Sequence, residues 1–183
     1  MQSPESTTGF EKLGVQDVMI PVDRYPSVRP NCTLRKAIRI LDETTLEVHG
    51  RVTSLRVLLV IDDDGVLRGG VRRRDIMGGL EPKFLMSEPV HYRMKLFDVN
   101  LDPNLSELCN TQVKKGIRDQ AARPVSDIMR PIEASLSHND HLMKAIYEMV
   151  VYGLSLIPVM RDGKITGVVR SVELLHELAK LIS

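Results

Sequence analysis

Apolar residues recur along the chain in two alternating rhythms. Leu142, Ala145, Ile146 and Met149 follow the i, i+3, i+4, i+7 spacing that puts apolar side chains on one face of a helix. Asn139 or Asp140 can cap its start, and Gly153 ends it. An unbroken apolar run of strand length follows from Leu156 to Met160, and Arg161-Asp162-Gly163-Lys164 then reads as a hairpin turn. Ile165 to Val169 returns as the partner strand, and Val172 to Ile182, apolar at Leu174, Leu175, Leu178 and Leu181 or Ile182, is a closing amphipathic helix. With Ile132 to Leu136 as a short leading strand, the order is strand, helix, strand, strand, helix.

The first half repeats this order, with Leu34 to about Leu46 as helix, Val57 to Ile61 as strand, Asp62 to Gly65 as turn, and Asp75 opening the last helix. The residues repeat as well as the rhythm. Val15-Gln16-Asp17-Val18-Met19-Ile20-Pro21 returns as Val125-Ser126-Asp127-Ile128-Met129-Arg130-Pro131, Thr33-Leu34-Arg35-Lys36-Ala37-Ile38 as His141 to Ile146, and Gly65 to Arg72 as Gly163 to Arg170. The offset shrinks from 110 residues, Val15 to Val125, to 98, Gly65 to Gly163, so the first copy is longer inside, mostly around Glu43 to Leu55. A small sheet covered by helices on one side leaves its other face apolar, and two such copies finish each other by packing sheet against sheet. The expected division is a flexible tail over 1–13, a first unit over 14–80, a partly helical connector over 81–123 and a second unit over 124–183. In the connector, Asp102-Pro103-Asn104 can start a helix through Leu105, Leu108, Val113 and Ile117, serving as a lid or docking arm or as a packed linker.

Composition narrows the function. A 43 % hydrophobic share over 183 residues can furnish a core, and 25 Lys and Arg against 24 Asp and Glu create no overall field for nucleic acid or anionic lipid. Any charged ligand must be captured locally. Aromatics at 4 %, without Trp, give no stacking platform for single strands. The N-terminus lacks a basic stretch leading into an apolar one, and no apolar run approaches a membrane span, so a soluble cytoplasmic protein is expected. Cys32 and Cys109, isolated in sequence, read as reduced thiols.

The string V-x-D-x-M-x-P, then T-L-x-x-A, an apolar strand, an Asp-Gly turn, and glycine with apolar residues before an acid resembles the CBS domain. The resemblance covers about residues 14 to 80 and 124 to 182. It implies an α/β fold in which two CBS units, each a small three-stranded sheet with flanking helices, pack sheet to sheet as a pseudo-two-fold Bateman module. It also implies two clefts for AMP, ADP, ATP or S-adenosylmethionine, and dimerisation. With no effector segment in these residues, the output is expected to act in trans on a separate protein.

The family holds ribose with Thr or Ser, two further residues and Asp, where the last strand meets the last helix. A carboxylate accepts from both ribose hydroxyls there, beside free helix N–H groups. In this chain the pattern reads Arg72-Arg73-Arg74-Asp75 and Arg170-Ser171-Val172-Glu173, so both copies replace the hydroxyl by Arg. Two consequences are open: Arg72 and Arg170 reach into the clefts and hold phosphates, or each pairs with a neighbouring acid, Asp75 or Glu173, and fills its cleft. Asp75 is the better ribose ligand, which makes the first copy the first choice for an occupied site. Thr33 and His141 at the helix starts, and Arg56 and Ser155 before the central strands, match other cleft positions of the family. The rival reading is a ligand-free assembly scaffold.

Sharper chemistry is weak. His138-Asn139-Asp140-His141 offers too few ligands for a metal site and reads as a helix cap. Asp62-Asp63-Asp64-Gly65 lacks the alternating acids of a calcium loop, and Arg72-Arg73-Arg74 with Arg68 is a basic patch without aromatic support for nucleic acid. No nucleophile elbow, P-loop or catalytic triad is present, so a regulatory module and not an enzyme is expected, requiring no cofactor or metal.

Overall fold

The computed structural model describes residues 13–48, 50–81 and 113–182. The first unit runs α1 (Val15–Val18), β1 (Ile20–Pro21), a 3-10 turn (Val22–Arg24), β2 (Ser27–Val28), α2 (Leu34–Glu43), β3 (Thr45–Val48), β4 (Arg51–Ser54), β5 (Val57–Ile61), β6 (Leu67–Arg72) and α3 (Arg73–Leu80). A helix, α4, is described over 113–120. The second unit follows with a 3-10 turn (Val125–Asp127), β7 (Leu136–Ser137), α5 (Leu142–Tyr152), β8 (Leu156–Arg161), β9 (Lys164–Arg170) and α6 (Ser171–Ile182).

The helix, hairpin and closing helix of the second unit form where the periodicity places them. Gly153 at φ 61 closes α5, and Asp162 and Gly163, at φ 50 and 75, make the two-residue turn that a tight β8–β9 hairpin requires. The cap differs: His141 Nδ1 accepts from the Met143 amide at 3.1 Å, while Asp140 accepts from Ser137 N and Lys144 Nζ. The leading strand is shorter than expected, because only Leu136 and Ser137 pair with β8 and residues 131–135 are irregular.

In the first unit α2 stops at Glu43, short of the expected Leu46. Thr45-Leu46-Glu47-Val48 pairs instead with Arg51–Ser54, so the extra length is an antiparallel hairpin, β3–β4. The sequence Thr-Leu-Glu-Val suits a strand, and burying Leu46 in the first core fixes it. The expected helix from Asp102 lies outside the described residues apart from its end, where Val113 and Ile117 are helical in α4. Cys109 also lies outside them; Cys32 is half-buried and free.

The two sheets are not confined to their own copies. β2-β5-β6 forms one sheet, whereas the other has the order β1-β9-β8-β7, in which β1 crosses from the first copy to pair with β9. The second copy answers with Arg130, bridging Gly70 on β6. The residues just before follow suit. Val15 N donates to Asp140 O and Leu142 N to Leu13 O, while Val125 N donates to Cys32 O and Leu34 N to Arg123 O, at 2.7 to 3.1 Å. Val15 and Val18 are buried in the second core and Val125 in the first, so the copies exchange their opening arms about a pseudo-two-fold axis.

The exchange explains two glycines. A side chain at Gly69 would overlap the Arg130 carbonyl oxygen, and one at the equivalent Gly167 would come within 2.6 Å of Ile20 O. Only a residue without Cβ lets the partner arm lie this close.

Candidate functional site

Two clefts open along the seam between the units, and each draws on both copies. The first holds Arg72 of β6 opposite Arg130, Glu133 and Ser155 of the second copy, around about 90 Å³. The second holds Arg170 of β9 opposite Tyr25, Thr53 and Arg56 of the first copy, around about 270 Å³. Val57, Ser155 and Leu156 line both. Val57 and Leu156 are equivalent positions, facing Arg72 and Arg170 in their respective ladders, so the pseudo-axis runs between the clefts. The hairpin insert makes the second cleft larger, since Val52, Thr53 and Ser54 extend a wall that the second copy lacks.

Both arginines that replace the family's hydroxyl close on the acid three residues ahead. Arg72 Nε and Nη2 donate to the two Asp75 oxygens at 2.8 and 3.0 Å, the Arg72 amide adds a capping bond at 3.0 Å, and Arg130 Nε approaches at 3.4 Å. Burial would raise the Asp75 carboxyl, but the bonds from Arg72 and Arg130 outweigh it and hold the group below the ordinary value. Asp75 thus sits in the first turn of α3, which begins at Arg73, and its side chain is only 4 % exposed. In the other cleft Arg170 Nε donates to Glu173 Oε2 at 2.8 Å and Nη2 to Oε1. Arg170 Nη1 reaches Thr53 Oγ1 at 3.0 Å. Beside this pair the Tyr25 hydroxyl donates to Val57 O at 2.8 Å, and burial pushes its pKa up.

The remaining candidates divide. Arg56 lies in the cleft of Arg170, not that of Arg72, and Ser155 belongs to both. Thr33 and His141 line neither; they cap α2 and α5 and form the bridges to Pro124 and Gly14 that seat the exchanged arms. Sequence reasoning missed Tyr25, Thr53, Arg130 and Glu133. Arg130 stands inside the repeated V-x-D-x-M-x-P string and could have been found had the crossing been foreseen. Thr53 lies in an insert with no counterpart in the repeat, and nothing in the sequence points to it. The basic patch is dispersed: Arg68 pairs with Asp62 at 2.6 Å, Arg72 with Asp75, and Arg73 donates to Leu41 O at 3.4 Å. Among the described residues no three His, Cys, Asp or Glu side chains are grouped to hold a metal ion, and no helix is long and apolar enough to cross a membrane.

The CBS-domain family profile matches residues 15–81 and 125–180, the two units with their opening arms. The chain belongs to the CBS-domain family. Solved structures of CBS-domain proteins resemble it in fold. CBSX2 in complex with AMP is 20 % identical with a TM-score of 0.61, over 93 % of this chain and 98 % of that one. A CBS domain-containing protein from Kribbella flavida is 16 % identical with a TM-score of 0.63, over 91 % and 98 %. At these identities the likeness is one of fold. An uncharacterised protein of Methanocaldococcus jannaschii is 34 % identical over 62 residues, 32 % of this chain and 29 % of its own length. The chain is therefore an α/β CBS pair, a Bateman module, in which Asp75 and Glu173 are each engaged by arginine.

Proposed function

We propose that this CBS pair is a regulatory module that takes an adenine nucleotide, AMP, ADP, ATP or S-adenosylmethionine, at the seam between its units and passes the occupancy to an effector protein in trans. The observation that carries the reading is the cleft of about 270 Å³ beside Arg170, where apolar Val52, Val57, Leu156 and Val172 stand next to Arg56, Ser54, Ser155 and Ser171. A concave site in which polar groups converge beside apolar walls is a form that small-ligand sites take, and here the polar groups make up about half of the lining. The AMP in CBSX2 supports the ligand class. Because Asp75 is fully engaged and the Arg72 cleft beside it measures only about 90 Å³, the Arg170 cleft replaces the first copy's acid as the first choice for occupancy. Arg72 and Asp75 form the second choice, while Thr33 and His141, as caps, take no ligand role in this reading.

A ligand in such a cleft touches both units at once, so it favours whichever spacing of the units fits it and shifts the population accordingly. The module works as a homodimer in this reading. On α5 the exposed face carries Met143, Tyr147, Val150 and Val151, whereas the equivalent positions of α2 are Arg35, Arg39, Asp42 and Glu43. One outer face is apolar and the other charged, so dimerisation is assigned to the second unit.

Calorimetric titration with AMP, ADP, ATP, S-adenosylmethionine and NADH tests the sensor reading, with saturable binding of at least one adenine nucleotide expected. The closure of both arginines on their acids favours the alternative, a ligand-free assembly scaffold, and silence toward all five would establish that instead.

A further inference from the structure

We infer that the cleft beside Arg170 recognises its ligand by the phosphate end, through Arg56, and does not read the ribose hydroxyls. The inference rests on the reading above for its location and adds the chemistry that the cleft selects.

The lining of this cleft contains two arginines and no acid. A site that reads a ribose diol needs an acceptor for two O–H groups, usually a carboxylate. Glu173, the acid at the family's ribose position, is 6 % exposed, and both its oxygens accept from Arg170. To reach a ribose it would have to release a guanidinium that is itself 7 % exposed, leaving a buried charge uncompensated. The third contact of that guanidinium, to Thr53 Oγ1, ties the pair to the hairpin insert of the other unit. The acid is thus built into the wall.

Arg56 is in the opposite condition. It is exposed on the cleft and makes no side-chain hydrogen bond or ion pair among the described residues. Its charge has no acid beside it in the lining, and Ser54, Ser155 and Ser171 supply hydroxyl donors around the same space. A phosphate or polyphosphate group satisfies a free guanidinium and several hydroxyls together, by charge-assisted hydrogen bonds that neutral adenosine cannot offer. The Arg72 cleft differs, since Glu133 lines it and Asp75 sits behind Arg72 and Arg130, so its charges cancel locally. Two copies of one sequence have become sites of different charge, because Arg56 is Ser155 in the second copy and Tyr25 occupies the position of Glu133.

The test is titration of the full chain and of Arg56→Gln with ATP, 2′,3′-dideoxy-ATP, adenosine and inorganic tripolyphosphate. ATP and its dideoxy form should bind within about threefold of each other, adenosine should not bind, and tripolyphosphate should compete with ATP. Arg56→Gln should weaken all three phosphorylated probes by about tenfold or more. A dideoxy penalty above about tenfold, as expected where a site is built around the hydroxyls, overturns the inference while leaving nucleotide sensing intact. Unchanged ATP binding in Arg56→Gln overturns it too. Binding of tripolyphosphate without ATP supports the phosphate site and removes the adenine reading; silence from every probe removes both.

Discussion

Arg170 and Glu173 lie three residues apart on one unit, yet the third hydrogen bond of their pair goes to Thr53 on the other, 117 residues away in sequence and 3.0 Å away in space. Both members are more than nine-tenths buried, so the cost of separating them is set by desolvation. Glu173→Ala, which strands the guanidinium, should lower stability by about 3–5 kcal/mol in urea denaturation. Thr53→Val should cost about 1–3 kcal/mol by leaving one donor unmet. Replacing both charges, Arg170→Met with Glu173→Leu, should come closer to the parent than Glu173→Ala does. If the double variant is the least stable of the three, the pair contributes net stability and this account of it is wrong.

The arm exchange makes the glycines unequal. Gly69→Ala and Gly167→Ala each drive a methyl group into the carbonyl of the crossing arm and should each cost about 1–3 kcal/mol. Gly78, in α3, has nothing within 4 Å of an added Cβ, and Gly78→Ala should leave stability equal or raise it by about 0.5–1 kcal/mol. Thermal melts of the three variants give the ordering, and a melt of Gly69→Ala at the parent value would argue against the close approach at Arg130.

Asp75 gives a pH dependence of known sign. Its carboxyl is held below the ordinary carboxylate value, near 3.9, against the opposing effect of burial. Its contribution is therefore complete above that value and disappears as the pH falls through the lower pKa of the folded state. Asp62, lowered by the Val66 amide and by Arg68, and Asp140, lowered by Lys144 and the Ser137 amide against burial, act in the same direction. Stability should be flat near neutrality and decline below about pH 5. Asp75→Asn should be less stable than the parent at pH 7, and the difference should shrink as the pH falls below the ordinary carboxylate range. A constant difference across that range would mean that the Arg72 pair does not lower the Asp75 pKa.

The contrast between α5 and α2 predicts a one-sided assembly. Tyr147→Glu with Val150→Glu should turn the proposed dimer into a monomer in sedimentation equilibrium, with no loss of secondary structure, because both side chains are exposed. Arg39→Glu on the equivalent face of α2 should leave the mass unchanged. A parent chain that sediments as a monomer at high concentration would refute the assignment directly.

What the sequence determined by itself is the unit and its doubling. The helical spacing of Leu142, Ala145 and Met149, the apolar runs at Val57 and Leu156, and the Asp-Gly turns each reflect short-range geometry, which one segment encodes without help from the rest. The repeat then implied two units facing each other. What only the tertiary structure decided is which residues of the two copies meet. Sequence alignment groups Arg56 with Arg72 and Asp75, because they share a copy. The crossing of Ile20 onto β9 and of Arg130 onto β6 groups Arg56 with Arg170, and Arg72 with Glu133. The insert at Thr45–Ser54 could be seen as extra length, but its pairing as a hairpin depends on burying Leu46, and its hydrogen bond to Arg170 depends on how the units pack. Contacts between distant segments arise from closing a shared core, and periodicity records only that a face is buried, not what buries it.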